Sequence, residues 1–231
     1  FNKVMEYFIE NNFVFVKFNF SHNGGTVDQP IDFPDLEAFG ENNYTKELDD
    51  LKTVTDWVVG TTDIPTDEID KEEIYLIGHS RGGGISVIAT AEDNRIKRLV
   101  TWAAVSDFMS RMPKDMSEWE REGVLYIENG RTKQQMPLYY QFAENLMANE
   151  GRLSIENAES RLKVPHLIIH GTNDGAVSVV EAEDLHQWNP TSELFIIENG
   201  DHVFGASHPF NEDEFPDDVK LVLERTLSFL K

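Results

Sequence analysis

The sequence contains no cysteine. Disulfides, thiol catalysis and cysteine-ligated zinc are therefore excluded, and the redox compartment stays open because a cysteine-free chain is indifferent to it. Positive charge is scarce: 20 lysine and arginine residues stand against 42 aspartate and glutamate residues, a formal net charge of −22 over 231 residues. Nucleic acid is not an expected partner, since phosphate binding wants a basic face. Anionic membrane surfaces should repel the protein, and the balance suits neutral or cationic small molecules better than anionic ones. Long apolar runs are also lacking, and none approaches the roughly 18 residues of a membrane span. The most apolar stretches, such as Phe13–Phe20 and Leu167–His170, have strand length. No leader peptide is visible. What is present, 40% hydrophobic and 27% charged residues, is ordinary for a globular chain long enough to bury one sizeable core.

The apolar periodicity alternates between helix and strand. Phe1–Asn12 reads as the end of an amphipathic helix, with Val4, Phe8 and Ile9 on one face and Asn11-Asn12 closing it. Phe13–Phe20 (FVFVKFNF) alternates as a strand does, and the Gly-, Asn-, Asp- and Pro-rich segment after it reads as a long loop. A helix is predicted over Tyr44–Val59, a buried strand over Glu73–Gly78, a helix over Gly82–Thr90 and a strand over Arg98–Ala104. Further strands are predicted at Val164–His170 and Glu193–Ile197, and helices at Val179–Trp188 and Val219–Leu230. Alternation of this kind argues for βαβ units: a mostly parallel sheet with helices on both faces, in one α/β domain over residues 1–231.

Ser106–Leu162 breaks the rhythm, because it is far longer than a strand–helix crossover requires. Within it Asn129-Gly130 lies between apolar runs and suggests a hairpin, and Pro137–Met147 reads as a helix. The segment is expected to form a lid-like insertion.

Gly78-His79-Ser80-Arg81-Gly82 fits the pattern G-x-S-x-G. By composition alone such a match arises in about one chain of this length in a dozen. Its context is more specific, because it follows the strand EIYLIG directly and opens a small-residue helix, the setting of a nucleophile elbow. A serine in so sharp a turn tolerates little bulk nearby, and glycines two before and two after it, Gly78 and Gly82, are expected to relieve the clash. Gly82, Gly83, Gly84, Ser86 and Ala89 would let the helix pack closely on the sheet. The plainer reading is a glycine-rich strand-to-helix turn holding an incidental serine.

A serine hydroxyl needs a base, and the base needs an orienting acid. His202, in GDHVFG, lies between the strand ELFII and the final helix; Asp174, in HGTNDGAV, lies just after the strand VPHLIIH. Both positions follow strand carboxyl ends, where open α/β sheets place their sites. Of the seven histidines, His79 flanks the serine, His170 ends a strand and reads as structural, and His22, His166, His186 and His208 lie in less suitable contexts. Asp201 and Asp107 are the rival acids, but a side chain adjacent to the base cannot easily reach back to its Nδ1. The backbone N–H of Arg81, the residue after Ser80, is the expected oxyanion donor. A second donor ordinarily comes from a His-Gly loop after an earlier strand; His22-Asn23-Gly24-Gly25 looks like one but occupies the wrong place in the order and reads as a turn.

The motifs GHSRGG, HGTNDGAV and GDHVFG, in this order, resemble those of the α/β-hydrolase superfamily across nearly the whole chain. Among its branches the chain looks most like the dienelactone-hydrolase-like and feruloyl esterase-like group. The resemblance implies a serine hydrolase with Ser80 as nucleophile, Asp174 as acid and His202 as base, acting on a small-molecule carboxylic ester without metal or organic cofactor. It also implies further strands ahead of Phe1–Asn12; these are expected to be missing, with the chain starting in mid-domain. Trp119, Tyr126, Tyr139 and Tyr140 in the insertion, and Phe204 beside His202, are candidates for lining the substrate pocket, against the alternative that the insertion's aromatics form its own core. Competing functions are a peptidase of the prolyl-oligopeptidase type, which shares these motifs, and a non-catalytic binding protein on a hydrolase fold.

Overall fold

The computed structural model describes residues 1–65, 67–207, 209, 210 and 212–231. In chain order its elements are α1 (Asn2–Glu10), α2 (Leu36–Gly40), α3 (Tyr44–Gly60), β1 (Ile74–His79), α4 (Arg81–Glu92), β2 (Ile96–Trp102), a 3-10 turn (Met109–Arg111), α5 (Ser117–Glu122), β3 (Val124–Glu128), β4 (Gln135–Tyr139), α6 (Gln141–Ala148), α7 (Ile155–Glu159), β5 (His166–Gly171), α8 (Val179–Trp188), β6 (Glu193–Ile197) and α9 (Asp217–Leu230). They form two compact units, one of Phe1–Val16, Thr62–Asp107 and Ser154–Lys231, the other of Lys17–Thr61 and Phe108–Leu153.

The first unit is built on a sheet in the order β1-β2-β5-β6, with every neighbouring pair parallel. Parallel strands need crossovers, and α4 and α8 supply them between β1 and β2 and between β5 and β6. Because side chains alternate across a strand, each face takes its own set. Val100, Trp102, Leu167 and Ile169 point into a core shared with Phe8 of α1 and with Val219, Val222, Leu223 and Phe229 of α9. Trp102 also donates its indole N–H to Thr226 Oγ1 of α9 at 3.1 Å. The other face meets α4 and α8. There His166 holds Thr101 Oγ1 at 2.9 Å and the buried Glu159 carboxylate of α7 at 2.8 Å. Helices therefore cover both faces of a parallel sheet, the α/β-hydrolase architecture that the element order implied.

The run Phe13–Phe20 is not a strand. Phe13 and Phe15 are half-buried and their rings lie 5.8 and 5.5 Å from that of Phe8, while Val14 and Val16 are exposed. The alternation is thus real over those four residues, but among the described residues the segment joins no ladder, and a strand needs a hydrogen-bonded neighbour as well as an apolar rhythm.

In the second unit β3 and β4 pair antiparallel, with Glu128 opposite Gln135 at the Asn129-Gly130 turn. The helix expected from Pro137 starts later: Pro137–Tyr139 belong to β4, and α6 begins at Gln141. Proline is tolerated here because a strand of a two-stranded ribbon has a side with no ladder to complete. Tyr44 stacks on Phe108 at 4.0 Å and meets Phe142 at 4.7 Å. Gly40 lies under the Tyr139 ring, where an added Cβ would fall 2.7 Å from a ring carbon. The Tyr139 hydroxyl donates to Glu37 at 2.6 Å, and that bond, ahead of burial, pushes its pKa up to about 12. Residues 106–162, read from sequence as one insertion, divide: Phe108–Leu153 fold with Lys17–Thr61, whereas α7 belongs to the first unit and packs on α4.

Ile169 lies on β5, an inner strand, and is fully buried. Ile169→Ala should cost about 2–5 kcal/mol through lost transfer energy and a residual cavity. Urea unfolding should read this as a lower midpoint with an unchanged slope.

Candidate active site

β1 ends at His79 and α4 begins at Arg81, so Ser80 alone makes the turn, at φ 56° and ψ −126°. Positive φ is costly for a residue with a side chain and persists only where surroundings over-determine it. Here they do. The Ser80 N–H donates to Trp102 O at 2.9 Å, and Ser80 O accepts from Gly83 N–H at 2.9 Å and Val105 N–H at 3.3 Å. A Cβ on Gly78 would fall 2.5 Å from Ser86 Oγ and 2.6 Å from Gly82 O. A Cβ on Gly82 would meet nothing within 4 Å, so the expectation that Gly82 relieves a clash fails. The second glycine that sterics demand is Gly83, whose added Cβ would come 2.4 Å from Ala104 Cβ. The difference arises because the crowding comes from α4 lying on the chain after β2, which the local pattern cannot encode.

The loops after β5 and β6 are pinned together. A Cβ on Gly171 would fall 2.1 Å from Gly200 O, so only glycine permits the approach. Asn173 N–H donates to the same Gly200 carbonyl at 2.9 Å, and Asn199 N–H to Thr172 Oγ1 at 2.8 Å. Asp201 does not serve His202 as an acid. Its Oδ1 accepts the N–H groups of Val203 and Gly205 at 3.0 and 2.8 Å and so shapes the turn that carries the histidine. Phe204 follows with φ 57° and only 3% exposure, embedded in the first unit's core, where it anchors the loop rather than offering surface.

These constraints bring Ser80, Asp174 and His202 together from three loops. His202 Nδ1 lies 2.7 Å from Asp174 Oδ2, and its Nε2 lies 3.1 Å from Ser80 Oγ. A carboxylate can only accept, so the imidazole proton sits on Nδ1. Nε2 is then an acceptor, and the serine hydroxyl donates to it. The other Asp174 oxygen, Oδ1, accepts the N–H groups of Ala176 and Val177, each at 2.8 Å. Burial pushes the Asp174 carboxyl up, but the Val177 N–H, His202 and the Ala176 N–H together outweigh it and hold the group below its ordinary value. Arg81 is the first residue of α4, so its N–H belongs to the end of the helix that carries the partial positive charge.

Two further histidines belong to this site: His79, which the sequence placed beside the serine without a partner, and His170. His170, expected to be structural only, is fully buried with Nε2 3.4 Å from Asp174 Oδ2 and 3.0 Å from Val177 O. Its position four residues before Asp174 in HGTNDGAV was the available signal. His79 bonds the His202 carbonyl through Nε2 at 2.8 Å. Of the other histidines, His22 pairs with Ser21, His166 with Thr101 and Glu159, and His186 with Ser192, whereas His208 lies outside the described residues. Trp119, Tyr126, Tyr139 and Tyr140 belong to the second unit. There Trp119 is interior, donating to Leu138 O at 2.8 Å with its ring edge-on to Tyr140, and Tyr126 is exposed.

Solved structures share the fold. Est1E from Butyrivibrio proteoclasticus with ferulic acid bound is 20% identical, over 84% of this chain and 70% of that one, with a TM-score of 0.60. A structure from work on LipS and LipT, two metagenome-derived lipolytic enzymes, is 17% identical over 99% and 86% of the two chains, with a TM-score of 0.66. A puromycin-hydrolyzing peptidase of Mycobacterium tuberculosis is 18% identical over 80% of this chain but 24% of its own, with a TM-score of 0.55. At such identities the likeness is one of fold. No curated protein sequence matches the chain. The profile of the prolyl oligopeptidase family does, over residues 1–215. With a parallel sheet covered on both faces, and with that profile spanning most of its length, the chain is a hydrolase of the α/β fold and belongs to the prolyl oligopeptidase family.

Proposed function

We propose that the protein is a serine hydrolase that cleaves carboxylic esters through an acyl-enzyme on Ser80. The observation that carries this reading is the continuous chain from Asp174 Oδ2 through both nitrogens of His202 to Ser80 Oγ, at 2.7 and 3.1 Å. A hydroxyl is a weak nucleophile until a base takes its proton, and this arrangement provides one with its acceptor lone pair aimed at the hydroxyl. His202 Nε2 takes the Ser80 proton as Oγ forms a bond to the ester carbonyl carbon. The carbonyl oxygen becomes an oxyanion facing the Arg81 N–H at the start of α4. His202, now an imidazolium held by Asp174, returns the proton to the departing alkoxide, which leaves as alcohol. Water, deprotonated by the same nitrogen, then attacks the acyl carbon and frees the acid and the serine. No step calls on a metal or organic cofactor.

Cleavage of esters is the reading that Est1E and the lipolytic neighbours favour. A second reading, peptide cleavage by the same steps with an amine leaving, is favoured by the family match over residues 1–215 and by the neighbour named as a peptidase. Turnover of short-chain p-nitrophenyl esters and of aminoacyl-p-nitroanilides, compared as kcat/KM, separates the two. Activated esters outrun anilides on any serine hydrolase, so the anilide decides: the ester reading expects anilide turnover no faster than that of Ser80→Ala, and anilide turnover that depends on Ser80 contradicts it.

Ser80→Ala should lower ester turnover by about 10³-fold or more, since residual catalysis without the nucleophile is small. Turnover that survives in Ser80→Ala overturns the assignment. Asp174→Asn should reduce kcat by about 10²–10⁴-fold by favouring the wrong imidazole tautomer. Stability carries a separate signature of Asp174. Its carboxyl titrates below the ordinary value of 3.8 in the folded chain, so its contribution is complete above that value and is lost as pH falls through the folded pKa. The gap in unfolding free energy between wild type and Asp174→Asn, followed by urea titration, should accordingly shrink as pH falls below about 4.

A further inference from the structure

His79 is joined by peptide bond to Ser80 and by hydrogen bond to the base loop. Its Nε2 lies 2.8 Å from the backbone carbonyl of His202, a residue 123 positions away, and the two rings are 4.7 Å apart and inclined by 45°. A carbonyl can only accept, so the His79 Nε2 carries a proton and donates. Among the described residues, this is the hydrogen bond that joins the backbone of His202 itself to the residue beside the serine. Asp201 bonds shape the loop, Gly200 O accepts from Asn173 N–H after β5, and Phe204 is buried in the core cluster that also holds Trp102 and Ala103. The His202 side chain also meets the serine directly, at 3.1 Å, but that bond must itself make and break during turnover.

We propose that His79 is a positioning residue that fixes the distance between nucleophile and base, by clamping the backbone of His202 to the end of the strand that leads into Ser80. The inference rests on the serine-hydrolase reading and adds to it a function for the residue before the serine. Because β1 and Ser80 are held rigidly by the Trp102, Gly83 and Val105 bonds, a donor on the preceding residue transmits that rigidity to the imidazole. Burial, ahead of every other influence, pushes the His79 pKa down, so the ring is neutral at neutral pH. A neutral donor suits the place, since a second cation at 4.7 Å would oppose the imidazolium that His202 becomes. His79 touches no reacting atom; it acts through His202.

The donor's reach supplies the test. Glutamine can bring its amide N–H to about where Nε2 lies, asparagine ends a bond short, and leucine fills similar space with no donor. Wild type, Ser80→Ala, His79→Leu, His79→Asn and His79→Gln are compared in p-nitrophenyl ester turnover, with thermal melting by circular dichroism to establish folding. The expected result is a fall in kcat of about 10- to 100-fold in His79→Leu and His79→Asn with KM within about twofold, the size expected from about 1 Å of misplacement. His79→Gln should keep kcat within about threefold of wild type. His79→Leu with wild-type kcat, or His79→Gln no better than His79→Asn, overturns the positioning role while leaving the Ser80 reading standing. If His79→Leu does not fold, the glutamine and asparagine pair decides alone. Turnover as fast in Ser80→Ala as in wild type overturns the serine reading and this inference with it.

Discussion

Ser80 is held at φ 56°, a backbone region that side chains disfavour, and much of the first unit is organised around keeping it there. Such a conformation costs on the order of 1–3 kcal/mol and would relax if its neighbours allowed. The Trp102 carbonyl takes its N–H, and the amides of Gly83 and Val105 take its carbonyl, so relaxation would break bonds on both sides of the turn. The absence of side chains at Gly78 and Gly83 lets α4 approach β1 and the chain after β2 closely enough for those bonds to form. The consequence of the strain is that one half-buried hydroxyl sits between the end of a strand and the start of a helix, 3.1 Å from His202 Nε2. A relaxed extended residue would continue β1 and point its side chain into one face of the sheet.

The remaining parts of the site are positioned by a comparable economy of backbone. Gly171 admits the Gly200 carbonyl to a distance that no other residue would permit, and that contact sets the Asp174 loop against the His202 loop. Asp174 then satisfies itself almost wholly within this arrangement, with two backbone amides on one oxygen and His202 on the other. Desolvation alone would favour a neutral carboxyl; the three hydrogen bonds reverse that and keep the charge beside His202. Three histidines surround one carboxylate and one serine here. Only His202 reaches both, and His79 and His170 bond backbone carbonyls on either side of it.

Features set by local pattern were legible in the sequence. Val179–Trp188 and Glu193–Ile197 were predicted with the bounds they have, because their periodicity and their turn residues agree. Ser80, Asp174 and His202 could be named from motif order and from their places after strand ends, and the structure brings those residues into one hydrogen-bonded chain. Features set by tertiary partners were not legible. Phe13–Phe20 has strand rhythm without a ladder, and Pro137–Tyr139 complete a hairpin although their composition suited a helix start. Gly83 rather than Gly82 is the sterically required glycine because Ala104, from another strand's end, fills the space. Phe204 reads as a pocket residue beside the base until its burial among α9 side chains is known. The partners of His79 and His170 went unrecognised for the same reason, since the groups that they bond give no mark in their own motifs.

The central claim is that one strained serine is activated by His202. A fluorophosphonate reacts only with a serine whose proton has somewhere to go, so peptide mapping by mass spectrometry after labelling reads that claim directly. The account predicts a stoichiometric adduct on the peptide containing Ser80, and its loss when His202 is replaced by alanine. An adduct on a different serine, or labelling of Ser80 that is unchanged in His202→Ala, would contradict it.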